Sequence, residues 1–307
     1  MALPPVTAPL PQQVAALREG AGLRALDDLA AVSVRGRDRL TWLNGMVTND
    51  TRSLAPGRGV YAAVVGLKGK VLTDLFAGGR EDEVILVMPA ARVDEVLAHF
   101  DHYIVMEDVF VARRDGAVVT LQGPKAASLA ASLAPAATAD RLGRGGLDLL
   151  LDDNDARYEL LASLASEGRV TPVSDEAWEV ARLEAGVAAF GRDFDTSNFV
   201  QEAGVTRRAV SFQKGCYLGQ EVVCRLEMRG HVQKSLIGLV VEGDAPPAGE
   251  PVMTDGKDVG RVTSAATSVT LPGRAVALAM LRQATVEANA PVEVRGARAT
   301  LTLRPVP

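Results

Sequence analysis

Between Val60 and Met88 the sequence contains three apolar runs, VYAAVV (60–65), VLTDLF (71–76) and EVILVM (83–88), the first two separated by Gly66–Lys70 and the last two by a segment holding the Gly78-Gly79 turn. Short runs rich in Val, Ile and Leu, bounded by glycine, read as strands, and the Gly66–Lys70 break reads as a hairpin turn. Pro89 then stands where a first-turn proline is tolerated, and Val93, Val96, Leu97 and Phe100 fall at helical spacing. YIVMEDVFV (103–111) returns to strand character. Three strands, a helix and a returning strand, ending in a β-β-α-β run, belong to an α+β layer architecture.

The pattern partly recurs downstream in AVVTLQG (117–123), an Ala/Leu-rich helix, LDLLL (147–151) and a helix over WEVARLEAG (178–186). Upstream, residues 3–11 read as a Pro-rich leader and residues 13–32 carry helical signals. TWLNGMVTNDT (41–51) combines apolar spacing with an Asn-Asp turn. Beyond Gly230 the texture changes to LIGLVVEG, PVMTDG, VGRVTSAA, AVALAML and ARATLTL, short strands spaced by Gly, Pro and Asp, as in a small all-β barrel or sandwich. The 307 residues, 48% of them hydrophobic, are enough for two or three domains.

Composition excludes several function classes. A net charge of −5 argues against a surface built throughout for nucleic acid, so direct nucleic-acid binding is not expected. No apolar run reaches the ~18 residues of a membrane span, and the N-terminus has no basic region followed by an apolar stretch, so no membrane association and a cytoplasmic location are expected. Cys216 and Cys224 cannot make a disulfide framework, which fits a reducing compartment. His99, His102 and His231 form no HExxH and no Cys/His cluster, so no metal site is expected. GLKGKV (66–71) lacks the spacing of a phosphate loop, and the Asp152, Asp153, Asp155 run lacks the Gly and Glu of a calcium loop.

KGCYLGQEVVCR (214–225) places a cysteine between two glycines beside a lysine. Gly215 and Gly219 would break a helix, so Lys214 to Leu218 read as loop and a helix starts near Gln220, with Glu221 in its first turn. Cys216, just upstream of that N-terminus and two residues from Lys214, stands in a setting that suits a reactive or ligand-facing thiol; a small buried hydrophobe is the other reading. Cys224, among apolar helix positions, reads as packing. Arg207, Arg208, Lys214, Arg225, Arg229 and Lys234 face only Glu221 and Glu227 within residues 207–234, a local basic patch suited to a carboxylate tail, a phosphate or RNA, or a solvated face.

The KGCYLGQE segment is similar to the KGC[YF]xGQE signature of YgfZ-type folate-binding proteins, a branch of the superfamily that includes the glycine cleavage aminomethyltransferase, the T-protein. WLNGMVTND resembles that family's FLxGxxTND, GLKGKVLTDLF its GKxxxD strand-turn-strand, and YIVMEDVFV its YVxxEDV. RLEAGVAAFGRDFD with the following QEA resembles RxExGxPxxGxD, and RGHVQKSLIGLVVEG and VGRVTSAA look like parts of its C-terminal barrel. The resemblance implies an α+β fold of three domains around a central folate channel: a discontinuous α/β domain over 1–55 and 116–228, an inserted domain over 56–115, and a β-barrel over 229–307.

It also implies tetrahydrofolate, or a one-carbon derivative, as cofactor. Glu184 is the implied acceptor for the pterin, whose donor-rich edge needs a fixed carboxylate. Phe190, Asn49 and Tyr61 are the further implied folate-binding residues, Asp74 and Cys216 the implied catalytic ones, and Lys214, Gly215, Cys216, Tyr217, Gly219, Gln220, Glu221 and Arg225 the signature. Lys214 and Arg225 would hold anionic groups, and Gln220 and Glu221 would fix the loop. The relatives carry an Asp-Asp pair where this chain has Thr73-Asp74, and a tyrosine where it has Phe190. Three functions follow as expectations. The first is a folate-binding accessory protein for iron–sulfur client enzymes or assembly proteins, including tRNA-modifying ones. The others are a folate-dependent aminomethyl or one-carbon transferase, and an RNA- or protein-binding module using the 207–234 patch.

Overall fold

The computed structural model describes residues 2–230 and 232–302; Met1, His231, residues 303–307 and the side chain of Arg229 lie outside the described residues. Along the chain run α1 (Leu10–Glu19), β1 (Gly22–Ala25), β2 (Leu29–Arg35), α2 (Arg39–Met46), β3 (Gly59–Val65), β4 (Val71–Gly79), β5 (Glu83–Pro89), α3 (Val93–Asp101) and β6 (Phe110–Arg114). They are followed by β7 (Ala117–Gln122), β8 (Ala136–Thr138), β9 (Gly146–Leu151), α4 (Arg157–Ser166) and β10 (Thr171–Pro172). Next come α5 (Asp175–Glu184), α6 (Thr206–Ala209), α7 (Gln220–Arg229), β11 (Lys234–Glu242), β12 (Pro251–Thr254), β13 (Lys257–Thr267), β14 (Arg274–Arg282), α8 (Gln283–Glu287), β15 (Val292–Val294) and β16 (Ala297–Thr302). The result is α+β: two mixed sheet domains and a C-terminal barrel.

The strands read from 60–88 are β3, β4 and β5, antiparallel neighbours in a sheet of order β3-β4-β5-β2-β6. β5 is buried from Glu83 through Met88, which explains its unbroken apolar run: both faces of the sheet are covered there. Leu86 and Met88 join Val32, Leu43, Leu75 and Phe100 in one core, with Trp42 edge-on to Phe100 at 5.3 Å. Ile85 and Val87 line, with Pro135 and Leu149, a crevice of about 30 Å³ toward the sheet of order β10-β1-β7-β9-β8.

Four expectations need correction. Residues 13–32 are helical only to Glu19; β1 and β2 follow, because pairing with β7 and with β5 and β6 outweighs the helix preference of their alanines. In YIVMEDVFV the strand begins only at Phe110. Val105 and Met106 are exposed, and their amides both donate to the Glu107 carboxylate, a local alternative to strand pairing. The Ala/Leu-rich stretch after β7 forms only a 3₁₀ turn, Ala126–Leu129; the Ser128 and Ser132 hydroxyls donate to carbonyls three residues back and compete with helix bonding. The sheet expected within 56–115 also takes β2, placed centrally between β5 and β6.

By Cα proximity one compact unit comprises Met1–Ser174 with Arg208–Gln220, and a second comprises Asp175–Arg207 with Glu221–Pro307. In this grouping α5, which the sequence reading gave to the discontinuous α/β domain, goes with the barrel. In the second unit the strands close as β11-β14-β13-β12-β15-β16, with β15 unread in the sequence because it is only three residues long. Closure leaves no sheet edge, and Leu239, Val241, Val252, Val262, Ala279 and Leu281 fill the interior. Leu183 of α5 packs on Val276 and Leu278 of β14.

Candidate active site and its surroundings

The first unit builds a polar cluster around Asp74 of β4. Successive strand residues face opposite sides, and Thr73 and Leu75 are buried in the direction away from Asp74. Thr73 therefore lies off the face that carries Asp74. On that face the Tyr61 hydroxyl donates to Asp74 Oδ2 at 2.8 Å, and the Tyr61 ring lies tilted against Phe76 at 4.9 Å. The Arg208 guanidinium stands over Tyr61 at 5.3 Å, and that of Arg141 over Phe76 at 4.4 Å. Arg141 is held by a bidentate pair to the buried Asp148, and Arg208 donates to the Asp140 carbonyl.

Burial lifts Asp74 above the usual carboxylate range, while the Tyr61 hydrogen bond and the charges of Arg141 and Arg208 oppose the lift. Burial, then the Asp74 charge, push Tyr61 well above the usual phenol value, so Tyr61 stays a donor. A carboxyl whose proton is held this way can take a proton from an amine and return it.

Asn49 does not present itself to a ligand as the sequence reading expected. Both of its Nδ2 hydrogens are taken, by the Tyr61 and Arg208 carbonyls at 2.8 and 3.0 Å, and its Oδ1 accepts from the Asp50 amide. It fastens Tyr61 and Arg208 in place. Lys214 is corrected too: it is buried, and Nζ donates to the carbonyls of Asn44, Val47 and Asn49 at 2.5, 2.6 and 2.9 Å, so its hydrogens are occupied inside the protein instead of facing an anion.

Residues 214–218 are the expected loop and α7 starts at Gln220. Among the described residues no side-chain hydrogen bond from Gln220 or Glu221 fixes that loop; Lys214 does, with the Leu218 amide donating to the Gly45 carbonyl. Cys216 is exposed, Cys224 half-buried, the Tyr217 ring buried beside Lys214, and Arg225 exposed. The two signature glycines differ. Gly219 has φ +77, and a Cβ there would meet the Gly66 carbonyl oxygen at 2.5 Å, whereas nothing lies within 4 Å of a Cβ on Gly215. Gly219→Ala is therefore expected to cost about 1–3 kcal/mol and Gly215→Ala little, as read by thermal denaturation of both variants. Equal melting temperatures for the two would remove this account of the motif.

In the second unit Glu184 is buried at the end of α5. Its Oε1 accepts from the Ser268 hydroxyl at 2.7 Å, the Val269 and Thr270 amides, and the Thr270 hydroxyl, closing the turn after β13. Phe190 packs edge-on to Phe194 at 5.5 Å. Asp193 is wholly buried: it accepts from Arg182, from the Ala189 amide, and from the hydroxyls of Thr263 and Ser264 on β13.

Asp74 and Tyr61 thus come together with two arginines that the sequence reading did not assign. Arg208 was visible only as one member of a basic run, and Arg141 gave no local signal because its partner arrives on β9. The 207–234 patch is smaller than expected, since Lys214 is buried and Arg208 is engaged at Tyr61.

Residues 5–143 match the model of the GCVT N-terminal domain, and residues 234–307 that of the glycine cleavage T-protein C-terminal barrel domain. An aminomethyltransferase of Thermus thermophilus is 31% identical, over 95% of this chain and 88% of the relative. The chain belongs to the glycine cleavage T-protein family. A second aminomethyltransferase, from a Nostoc species, is 28% identical over 91% of this chain and 81% of its own. In fold, this T-protein family member matches the glycine cleavage system aminomethyltransferase T of Bartonella henselae, with a TM-score of 0.84 over 99% of this chain and 91% of that one at 20% identity.

Proposed function

We propose that the protein binds a tetrahydrofolate and transfers a one-carbon or aminomethyl unit to or from it. Asp74 is the proton-handling group and Tyr61, Arg208 and Arg141 its support. The observation that carries this reading is the Asp74 carboxyl itself, hydrogen-bonded by Tyr61, flanked by two guanidinium groups and raised by burial. The names of the relatives point the same way. A folate secondary amine attacks carbon with its lone pair and becomes cationic as the bond forms; a carboxylate at Asp74 accepts the N–H proton it then sheds and can return it to the departing amine. Glu184 supplies the acceptor for the donor edge of the pterin, with Phe190 as an apolar wall.

Because Glu184 Oε1 also holds the 268–270 turn, Glu184→Ala confounds binding with loss of that turn. Glu184→Gln keeps Oε1 as an acceptor and turns the other oxygen into a donor. In calorimetric titration under anaerobic, reducing conditions, wild type is expected to bind tetrahydrofolate saturably. Glu184→Gln is expected to bind at least about 10-fold more weakly, as for a lost hydrogen bond to a charged acceptor. Absence of binding by wild type would sink the folate reading. Formation of methylene-tetrahydrofolate from an aminomethyl-loaded lipoyl carrier would favour the transferase.

A second reading, the YgfZ-type accessory role toward iron–sulfur enzymes, is favoured by one specific feature: Cys216 is exposed on a loop held by Lys214 and Gly219, and proton transfer by Asp74 makes no use of it. Under that reading Cys216→Ser keeps folate affinity and loses support of the client enzymes in cells. Full client activity with Cys216→Ser would remove it.

A further inference from the structure

We propose that Lys214 is a positioning residue for the Asp74 cluster: it clamps the turn after α2 and, through Asn49, sets where Tyr61 and Arg208 stand. An ammonium has three donors, and here three carbonyls converge on it. The Asn44 and Val47 carbonyls lie at the C-terminal end of α2, where backbone acceptors have no partner within the helix and a cation is favoured by the helix dipole. The Tyr217 ring, 4.8 Å from Nζ, covers the same site. A lysine remote in sequence thereby caps the helix and fixes the backbone through Asn49.

From that turn a chain of hydrogen bonds leads to the carboxyl. The Thr48 hydroxyl donates to the Ala209 carbonyl at 2.6 Å and accepts from the Ala63 amide at 2.9 Å, and the Ser211 amide donates to the Thr48 carbonyl. Asn49 joins the Tyr61 and Arg208 carbonyls. Residues 48 and 49 therefore staple β3 to the 208–211 segment, and Tyr61 in turn donates to Asp74. If the turn shifts, the phenol and the guanidinium over it shift with it.

The charged groups acting on Nζ are Asp50 and Arg52 of the same turn, with the Tyr217 ring on its own loop. Burial, opposed by Asp50 and aided by Arg52, brings Lys214 down to about 8. Above that pH a neutral amine has two hydrogens for three carbonyls. The unfolded chain holds this proton more tightly, up to the ordinary 10.5, so its loss from the folded protein does not cost global stability. Local loosening of the turn is therefore separable from unfolding.

The test uses the ligand-free full chain and, in parallel, tetrahydrofolate titration, so that only the second arm rests on the folate reading. Amide hydrogen exchange, converted to protection factors, is compared at pH 7 and pH 9 for wild type, Lys214→Met, Lys214→Arg and, as control, the exposed Lys68→Met. Lys214→Met is expected to lower protection at Thr48–Asp50 and Ala63 by about 10-fold or more, as for lost hydrogen bonds to a charged donor, and to weaken tetrahydrofolate binding similarly. Lys214→Arg is expected not to rescue, because a planar fork cannot converge on three carbonyls as an ammonium does. Wild type is expected to lose protection in the same segment at pH 9 with its melting temperature unlowered, and Lys68→Met to behave as wild type.

A folded Lys214→Met with wild-type protection at these amides overturns the proposal. If that variant does not fold, constant wild-type protection between pH 7 and pH 9 overturns it, and loss there upholds it. Wild type that binds no tetrahydrofolate defeats the functional reading while the exchange arm still decides the clamp.

Discussion

An Asp74→Asn protein is expected to be at least as stable as its parent at pH 7 and yet to transfer one-carbon units about 10²–10⁴-fold more slowly, the usual worth of a positioned acid–base group. Stability and activity separate because burial raises the Asp74 carboxyl above the usual range. The folded chain then holds the proton more tightly than the unfolded chain does. The stability contributed by this group is complete below its ordinary value and is lost as pH rises through the raised one. Wherever the carboxyl is ionised its charge is a net cost in the folded protein, which asparagine removes while still accepting the Tyr61 hydrogen bond. Melting temperatures of the two proteins should therefore converge as the pH falls below the ordinary carboxylate value. A variant with wild-type turnover would end the assignment of Asp74, and one that melts lower at pH 7 would contradict the electrostatic account.

Asp193→Ala is expected to lower the stability of the unit containing the barrel by about 3–5 kcal/mol, the cost of removing one partner from a buried ion pair. The Asp193 side chain is 0% exposed and that of Arg182 5%, so neither charge can turn to water for compensation. The ion pairs with Glu179 and Asp193 hold Arg182 more firmly protonated than usual despite burial, so the cation persists when Asp193 is removed. The Thr263 and Ser264 hydroxyls lose their acceptor as well, and with it goes the direct tie between the segment after α5 and β13. Asp193→Asn should lose less, because both hydroxyls can rotate to meet an amide. Denaturant unfolding of the three proteins measures this, and a loss under about 1 kcal/mol would mean that the network relaxes around the change.

Strands β3, β4, β5, β7 and β9 of the mixed sheets, the end of β6 and five of the six barrel strands were legible because each carries an apolar run bounded by turn residues, whereas β1, β2, β8 and β10 were not read. The misread stretches were those where the local signal was ambiguous and a distant partner decided. Ala30 and Ala31 suit a helix until β5 and β6 flank them. Tyr103 to Val109 have strand composition until Glu107 draws in the amides of Val105 and Met106. At the candidate site Asp74 and Tyr61 could be named in advance, since they lie on adjacent strands joined by a short hairpin. Asn49 and Lys214 could be named but not given their roles, because a side chain occupied by backbone carbonyls looks no different in sequence from one that meets a ligand.

By itself the sequence determined the α+β class, the change from mixed sheets to an all-β end, the loop-to-helix corner at residues 214–220 and the family resemblance. These are properties of local period, turn chemistry and short motifs, all written within a few consecutive residues. Only the tertiary structure decided that Arg141 and Arg208 flank Asp74, that Lys214 caps α2 and that Asp193 is the buried counter-ion of Arg182. Those pairings join residues up to 170 positions apart, as in Lys214 with Asn44. Burial sets the energies of such pairings, and burial is a property of the packed molecule that no single stretch of chain contains.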